Sequence, residues 1–461
     1  MAEKFDCFVI GSGPGGYAAA IRCAQRGASV ALVEKESIGG TCLNRGCIPS
    51  KALLSSAQTL LMAKRAAMMG VDVASVTANW PKMQDRKETI VAGFVRGLTG
   101  LLKSNKVKIF NGRAVVTEPN KIKIETDTEP ISITADKIIL ATGSEPAQLS
   151  NIPFDGQTVI SSKEALSLQQ IPRSMIIVGG GVIGCELACI YAAIGTKVTI
   201  AGRNPRLIPK EDEWVSRLLR REFNKIGIET LIGREVISFD KTNSIAKVTL
   251  KTGQTIEAEK IFVSVGRRPT VDKETIEALN LEMTSHAIKV NERMETNVPG
   301  VYAIGDVVGT TFLAHGAFAE AKVAAVNATG GDERIADYSF IPRAVFTFPE
   351  VVSVGKSEET CKSEGIEISI GRSFFRANGR SLAHNETVGE IRVVRENSTN
   401  KIVGVTMVGA TVTEMIAAAR LLLGSTEKVT DISFPHPTVS EVLKEAAEGA
   451  FGLSLHNPPK P

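Results

Sequence analysis

A short apolar run from Phe5 to Ile10 meets Gly11-Ser12-Gly13-Pro14-Gly15-Gly16 and then an alanine-rich pattern of helical period through Arg26. This predicts a strand, a glycine turn and a helix. The same order recurs where Met175 to Val178 meets Gly179-Gly180-Gly181-Val182-Ile183-Gly184 and a helical stretch to about Ile194. The echo extends to the close of each unit, where Ile138-Ile139-Leu140-Ala141-Thr142-Gly143 resembles Ile261-Phe262-Val263-Ser264-Val265-Gly266. A further buried-strand pattern, Val301 to Ile304 followed by Gly305-Asp306, predicts that the chain returns to complete the first sheet. From about Phe340 the character changes, with period-two stretches at 390–394 and 402–408 alternating with helical ones near 413–423 and 440–447. The expected fold is α/β: two nested doubly wound dinucleotide-binding domains plus a C-terminal α+β domain. The boundaries drawn are 1–147 for the first domain, 148–272 for the second, 273–339 for the return to the first, and 340–461 for the third.

A glycine turn between strand and helix lets the backbone bend sharply onto a helix N-terminus, where unpaired N–H groups and the helix dipole hold a pyrophosphate. Gly11, Gly13 and Gly16 form the first such loop, and Gly179, Gly181 and Gly184 the second. In the first, Glu34 stands 23 residues beyond Gly11, where a carboxylate accepts hydrogen bonds from ribose hydroxyls. The same count from Gly179 lands on Gly202, followed by Arg203 and, nearby, Arg206. A glycine in place of the carboxylate, with arginine next to it, leaves room and charge for a 2′-phosphate, so the second site is expected to favour NADP over NAD.

Composition narrows the setting. Lys+Arg 54 against Asp+Glu 50 leaves +4 with no basic block, which excludes the electrostatic footprint of a nucleic-acid binder. No apolar run approaches the roughly 18 residues of a membrane span, and the N-terminus lacks a secretory pattern. Seven scattered cysteines are an odd number, unlike a secreted disulfide framework, so the cytoplasm is the expected compartment.

Cys42 and Cys47 flank Leu43-Asn44-Arg45-Gly46 just past the first loop. In a regular helix that spacing separates the Cα atoms by about 8 Å and about 140°, beyond the reach of a disulfide. Either the two never pair or the backbone is distorted, and Gly46 and Pro49 supply the means. No second Cys/His cluster completes a zinc site, so no metal is expected. Cys185 and Cys189, one helical turn apart, read as small core residues. Of five histidines, His436 stands in a loop five residues before Glu441, a spacing at which a carboxylate can orient an imidazole, with Thr438 or Ser440 expected to cap the helix that follows. His286, His384 and His456 read as solvated surface.

The segment GGTCLNRGCIPSK (39–51), together with GSGPGGYAAA, ATGS, GGGVIGCE, VGRRP, YAIGDV, TFPEVVSVG and HPTVSE in that order, resembles the FAD-dependent pyridine nucleotide–disulfide oxidoreductases over nearly the whole chain. The resemblance implies a homodimer joined by the C-terminal domain and a redox disulfide of Cys42 and Cys47. It implies FAD held by the Gly11 loop, Glu34 and Asp306, with Thr142, Gly143, Gly266 and Ala314 among the cofactor contacts. It further implies a Lys51–Glu186 ion pair near the flavin and a base, His436, oriented by Glu441 and serving the partner's disulfide. The cysteine segment is most similar to members that oxidise protein-bound dihydrolipoamide and reduce NAD(P), so the expected partner is a lipoyl-bearing protein of a 2-oxoacid dehydrogenase or glycine cleavage system. Reduction of another small disulfide such as glutathione disulfide, and a flavoprotein subunit without thiol turnover, are the competing readings.

Overall fold

Strand β1 (Glu3–Ile10) sends Phe8 and Ile10 to one face of its sheet and Cys7 and Val9 to the other, and all four are buried. A parallel strand covered on both faces needs such an unbroken apolar run. In the computed structural model, which describes residues 3–242 and 245–456, β1 leads through the glycine turn into α1 (Pro14–Gln25) and then β2 (Val30–Glu34). Two helices follow, α2 (Gly40–Arg45) and α3 (Cys47–Lys64). β1 lies between β2 and β3 (Ile131–Leu140), parallel to both, and residues 108–111 extend the sheet beyond β2.

The pattern repeats in β4 (Ser174–Val178), α4 (Val182–Ala193) and β5 (Lys197–Gly202). β4 pairs in parallel with β5 and with residues 260–263. The chain then returns, as its apolar pattern predicts: β6 (Val301–Ala303) pairs in parallel with β3, Val301 opposite Ile138 and Ala303 opposite Leu140. It leads to α5 (Ala314–Ala328). Beyond it, an antiparallel sheet places residues 343–345, 350–355, 401–409, 389–396 and 368–374 side by side. On that sheet packs α6 (Glu441–Ala450), with Val442, Leu443, Ala446, Ala447 and Ala450 in its core.

Contacts divide the chain into two units: Met1–Leu53 with Pro81–Ala147 and Gly266–Tyr338, and Leu54–Trp80 with Gln148–Val265 and Ser339–Pro461. Residues 267–269 pair with 144–146, so the first unit resumes at Gly266, ahead of the boundary drawn at 272. No helix among the described residues is long and apolar enough to cross a membrane.

Candidate active site

The first glycine loop closes on itself. Gly11 has φ +99° and donates to the Val33 carbonyl at 2.9 Å, and a Cβ on Gly16 would stand 1.9 Å from the Gly11 oxygen. Gly13 is the N-cap of α1 without a side-chain cap, and nothing lies within 4 Å of where its Cβ would be. The first N–H groups of α1 therefore face open space suited to an anion. Glu34 ends β2 buried, its Oε2 accepting from Ser12 N at 3.0 Å and Ser12 Oγ at 2.6 Å, its Oε1 from Glu36 N at 2.9 Å.

A second helix start lies alongside. α5 packs along α1, with the Tyr17 and Phe318 rings 5.8 Å apart, and Ala314 opens it behind Leu313, which provides no side-chain cap. Asp306 follows β6; its carboxylate accepts from the Ser144 hydroxyl and faces Arg267 Nε at 3.5 Å. The Thr142 hydroxyl donates to the Thr270 carbonyl, Gly143 O accepts from Thr270 N at 3.0 Å, and Gly266 O accepts from Ala147 N at 3.0 Å, so these three fix the loops around Asp306. The set fits FAD: the α1 N-terminus for its pyrophosphate, Glu34 for the adenosine ribose and Asp306 for the flavin-side chain.

Gly46 separates the two cysteines onto different helices. It leaves helical geometry (φ −144°, ψ −111°), ends α2 and lets α3 begin at Cys47. Pro49 lies inside the first turn of α3, where its missing N–H costs nothing, so Gly46 alone supplies the distortion. The Cys42 and Cys47 side chains lie within hydrogen-bonding reach of each other. That contact, with burial, pushes the Cys42 thiol well up, against a smaller pull downward from the Lys51 ammonium. Cys47 is exposed at the amino end of an 18-residue helix, a position that favours a thiolate.

These residues belong to the first unit; His436, Glu441 and Glu186 belong to the second. His436 Nδ1 lies 3.0 Å from Glu441 Oε1, and Glu441 Oε2 accepts from Thr438 N at 2.9 Å. Burial raises the Glu441 carboxyl, but the Thr438 N–H and the imidazole outweigh it and hold Glu441 below its ordinary value. The expected cap takes another form: Ser440 is the N-cap of α6 without capping through its side chain, and the Thr438 hydroxyl donates to Pro435 O at 2.8 Å. Glu186, buried on α4, accepts from Phe346 N at 3.0 Å.

The second loop repeats the first. Gly179 N donates to Ala201 O at 2.7 Å, a Cβ on Gly184 would stand 2.3 Å from Gly179 O, and Gly181 is an N-cap with open space in front of it. Val33 pairs with Ile10 and Ala201 with Val178, so Gly202 takes the register position of Glu34. Arg203 is exposed and lines a pocket of about 290 Å³ with Gly233, Arg234, Glu235, Lys251 and Thr252. Arg206 is committed elsewhere, 2.6 Å from Glu359, and is removed from the set of available arginines.

Residues 5–324 match the family described as pyridine nucleotide-disulphide oxidoreductase, and residues 341–447 match its dimerisation domain. The chain belongs to the pyridine nucleotide-disulphide oxidoreductase family. It is 39% identical to a dihydrolipoyl dehydrogenase of Bacillus subtilis, over 97% of this chain and 99% of that one. It is 37% identical to that of Chlamydia muridarum (100% and 99%) and to the mitochondrial dihydrolipoyl dehydrogenase 2 of Arabidopsis thaliana (99% and 92%). The fold matches LpdA of Mycobacterium tuberculosis with TM-score 0.89 at 24% identity, over 97% of this chain and 99% of that one.

Sequence reasoning passes over three features of this family member. Arg234 and Lys251 reach the Arg203 pocket from distant segments, because Arg234 N bonds Gly202 O at 2.9 Å and Lys251 N bonds Glu235 O at 2.8 Å. No local signal links them. His456, read as solvated surface, lies 2.6 Å from Glu445. Glu320 is buried beneath Gly305, and its one signal was a lone acid among the alanines and valines of α5.

Proposed function

We propose that this chain oxidises protein-bound dihydrolipoamide to lipoamide and reduces a nicotinamide nucleotide, as a homodimer in which each His436 serves the Cys42–Cys47 pair of the partner subunit. The observation that carries the reading is the cysteine pair itself: side chains within hydrogen-bonding reach on either side of the Gly46 break, with Cys47 at a helix N-terminus. Full-length similarity to the dihydrolipoyl dehydrogenases supports the substrate.

His436, aligned by Glu441, takes a proton from one substrate thiol. The resulting thiolate attacks Cys42 Sγ of the oxidised pair, breaks the Cys42–Cys47 bond and expels Cys47 as a thiolate held by the α3 N-terminus. The second substrate sulfur then displaces Cys42 from the mixed disulfide. Lipoamide leaves with its sulfurs joined, the pair keeps two electrons, and the two protons rest on His436 and Cys42. Bound FAD supplies the conversion of that electron pair into a hydride for the nicotinamide. Two half-reactions that share one thiol pair give ping-pong kinetics.

In this reading NADP is preferred over NAD. Its support is Gly202 at the register position of Glu34, with Arg203, Arg234 and Lys251 around one pocket. Steady-state rates with dihydrolipoamide and with glutathione disulfide, each paired with both nicotinamides, test the whole proposal. Dihydrolipoamide turnover with parallel double-reciprocal lines is expected. Faster reduction of glutathione disulfide overturns the substrate.

A further inference from the structure

Glu320 on α5 is 1% exposed, yet both carboxylate oxygens are used. Oε2 accepts the Gly305 N–H at 2.6 Å and Oε1 accepts the Tyr338 hydroxyl at 3.0 Å. Gly305 immediately precedes Asp306 and has φ +76°, so Glu320 grips the turn that presents Asp306 while Ser144 and Arg267 grip the Asp306 side chain. A carboxyl group buried in an alanine-rich helix is expensive unless its hydrogen bonds matter, since an apolar residue would pack there without that penalty.

We infer that Glu320 is a positioning residue for FAD, holding the Gly305–Asp306 turn through a carboxyl group whose charge state is coupled to flavin retention. The inference rests on the reading of the Asp306 cradle as a flavin site. A neutral carboxyl keeps an oxygen for the Gly305 N–H, whereas an ionised one adds a buried negative charge beside Asp306 and an anionic cofactor. Burial pushes the Glu320 carboxyl up to about 7, with Asp306 adding to it and the bonds from Gly305 and Tyr338 opposing. The other titratable or charged groups on elements packed against α5 are Tyr17, Arg22 and Cys23 on α1 and Tyr302 on β6.

Because the folded value is raised, the folded protein keeps this proton where the unfolded chain has lost it. Stability from this group is therefore present in acid and is lost as pH rises toward and through about 7. The test is flavin release from the holoenzyme at one fixed guanidinium concentration, read by flavin fluorescence across that window. The parent is expected to release FAD several-fold faster above the step than below it, and Glu320→Gln to remove the step. Tyr338→Phe deletes a bond that favours the carboxylate, so it should move the step to higher pH. A parent without the step, or a step that Glu320→Gln leaves in place, overturns the inference. If Glu320→Gln does not fold, an unmoved step in Tyr338→Phe overturns it alone. A purified protein without flavin would instead refute the cradle, a distinct result.

Discussion

Cys42 and Cys47 work in different surroundings although only Leu43 to Arg45 and Gly46 lie between them. The Cys42 thiol is pushed up by its bond to Cys47 and by burial, and Cys47 is exposed at the start of α3. In the proposed mechanism Cys42 exchanges with substrate and Cys47 is the flavin-side thiolate. Cys47→Ser should abolish the long-wavelength thiolate-to-flavin absorbance of the dithiothreitol-reduced holoenzyme, while Cys42→Ser should keep it; the reverse pattern would exchange the roles. His436→Ala, with FAD content and dimer retained, should lower kcat for dihydrolipoamide by about 10² to 10⁴-fold, the usual worth of a general base. Turnover within a few-fold of the parent would remove His436 from the mechanism. The His436–Glu441 pair was legible because a loop histidine and the first residue of the helix that follows stand five apart in the chain. Glu320 was not, because its partners Gly305 and Tyr338 become neighbours only when α5 packs against the turn after β6.

At the scale of elements, one broken helix decides the chemistry. A continuous helix would hold the two cysteines apart, and the break at Gly46 gives each its own helix. A Cβ at Gly46 would lie 2.9 Å from Thr41 O, which is backbone of α2 and must move to admit it. Gly46→Ala should therefore cost about 1–3 kcal/mol, as overpacking does, and slow reduction of the disulfide by dithiothreitol. An unchanged melting temperature together with an unchanged reduction rate would show that the break tolerates a side chain. The need for distortion was readable from the spacing alone, but its agent was not: Pro49 looked equally able, and only its place in the first turn of α3 removes it. The start of α6 shows the same limit. Thr438 and Ser440 are good capping residues, but the Thr438 hydroxyl is engaged by Pro435 O, and Glu441 takes the Thr438 N–H instead.

At the scale of the whole molecule, two glycine loops of one design carry different ribose positions. The repeat was legible because parallel strands buried on both faces leave unbroken apolar runs before each loop. Register makes the comparison firm, since Glu34 and Gly202 each follow a residue paired with the strand that enters the loop. What the sequence hid is the company Arg203 keeps, because the tie from Arg234 N to Gly202 O brings Arg234 to it and the tie from Lys251 N to Glu235 O brings Lys251. Loss of the carboxylate deprives NAD of its ribose hydrogen bonds, and a charge-assisted contact to a 2′-phosphate is worth about 1.5 to 3 kcal/mol, roughly 10 to 100-fold. Solvent exposure of Arg203 places the expectation at the lower end of that range. The parent should therefore favour NADP over NAD in kcat/KM by about tenfold, and should bind 2′,5′-ADP more tightly than 5′-AMP. Gly202→Glu with Arg203→Met should reverse the preference, and the change fits, because a Cβ at Gly202 would lie 3.5 Å from its nearest neighbour, Gly179 Cα. Arg234→Ala should weaken 2′,5′-ADP and leave 5′-AMP unchanged. A parent that favours NAD and binds the two adenosine phosphates equally would leave all three cations as surface charge and the nicotinamide site without a phosphate contact.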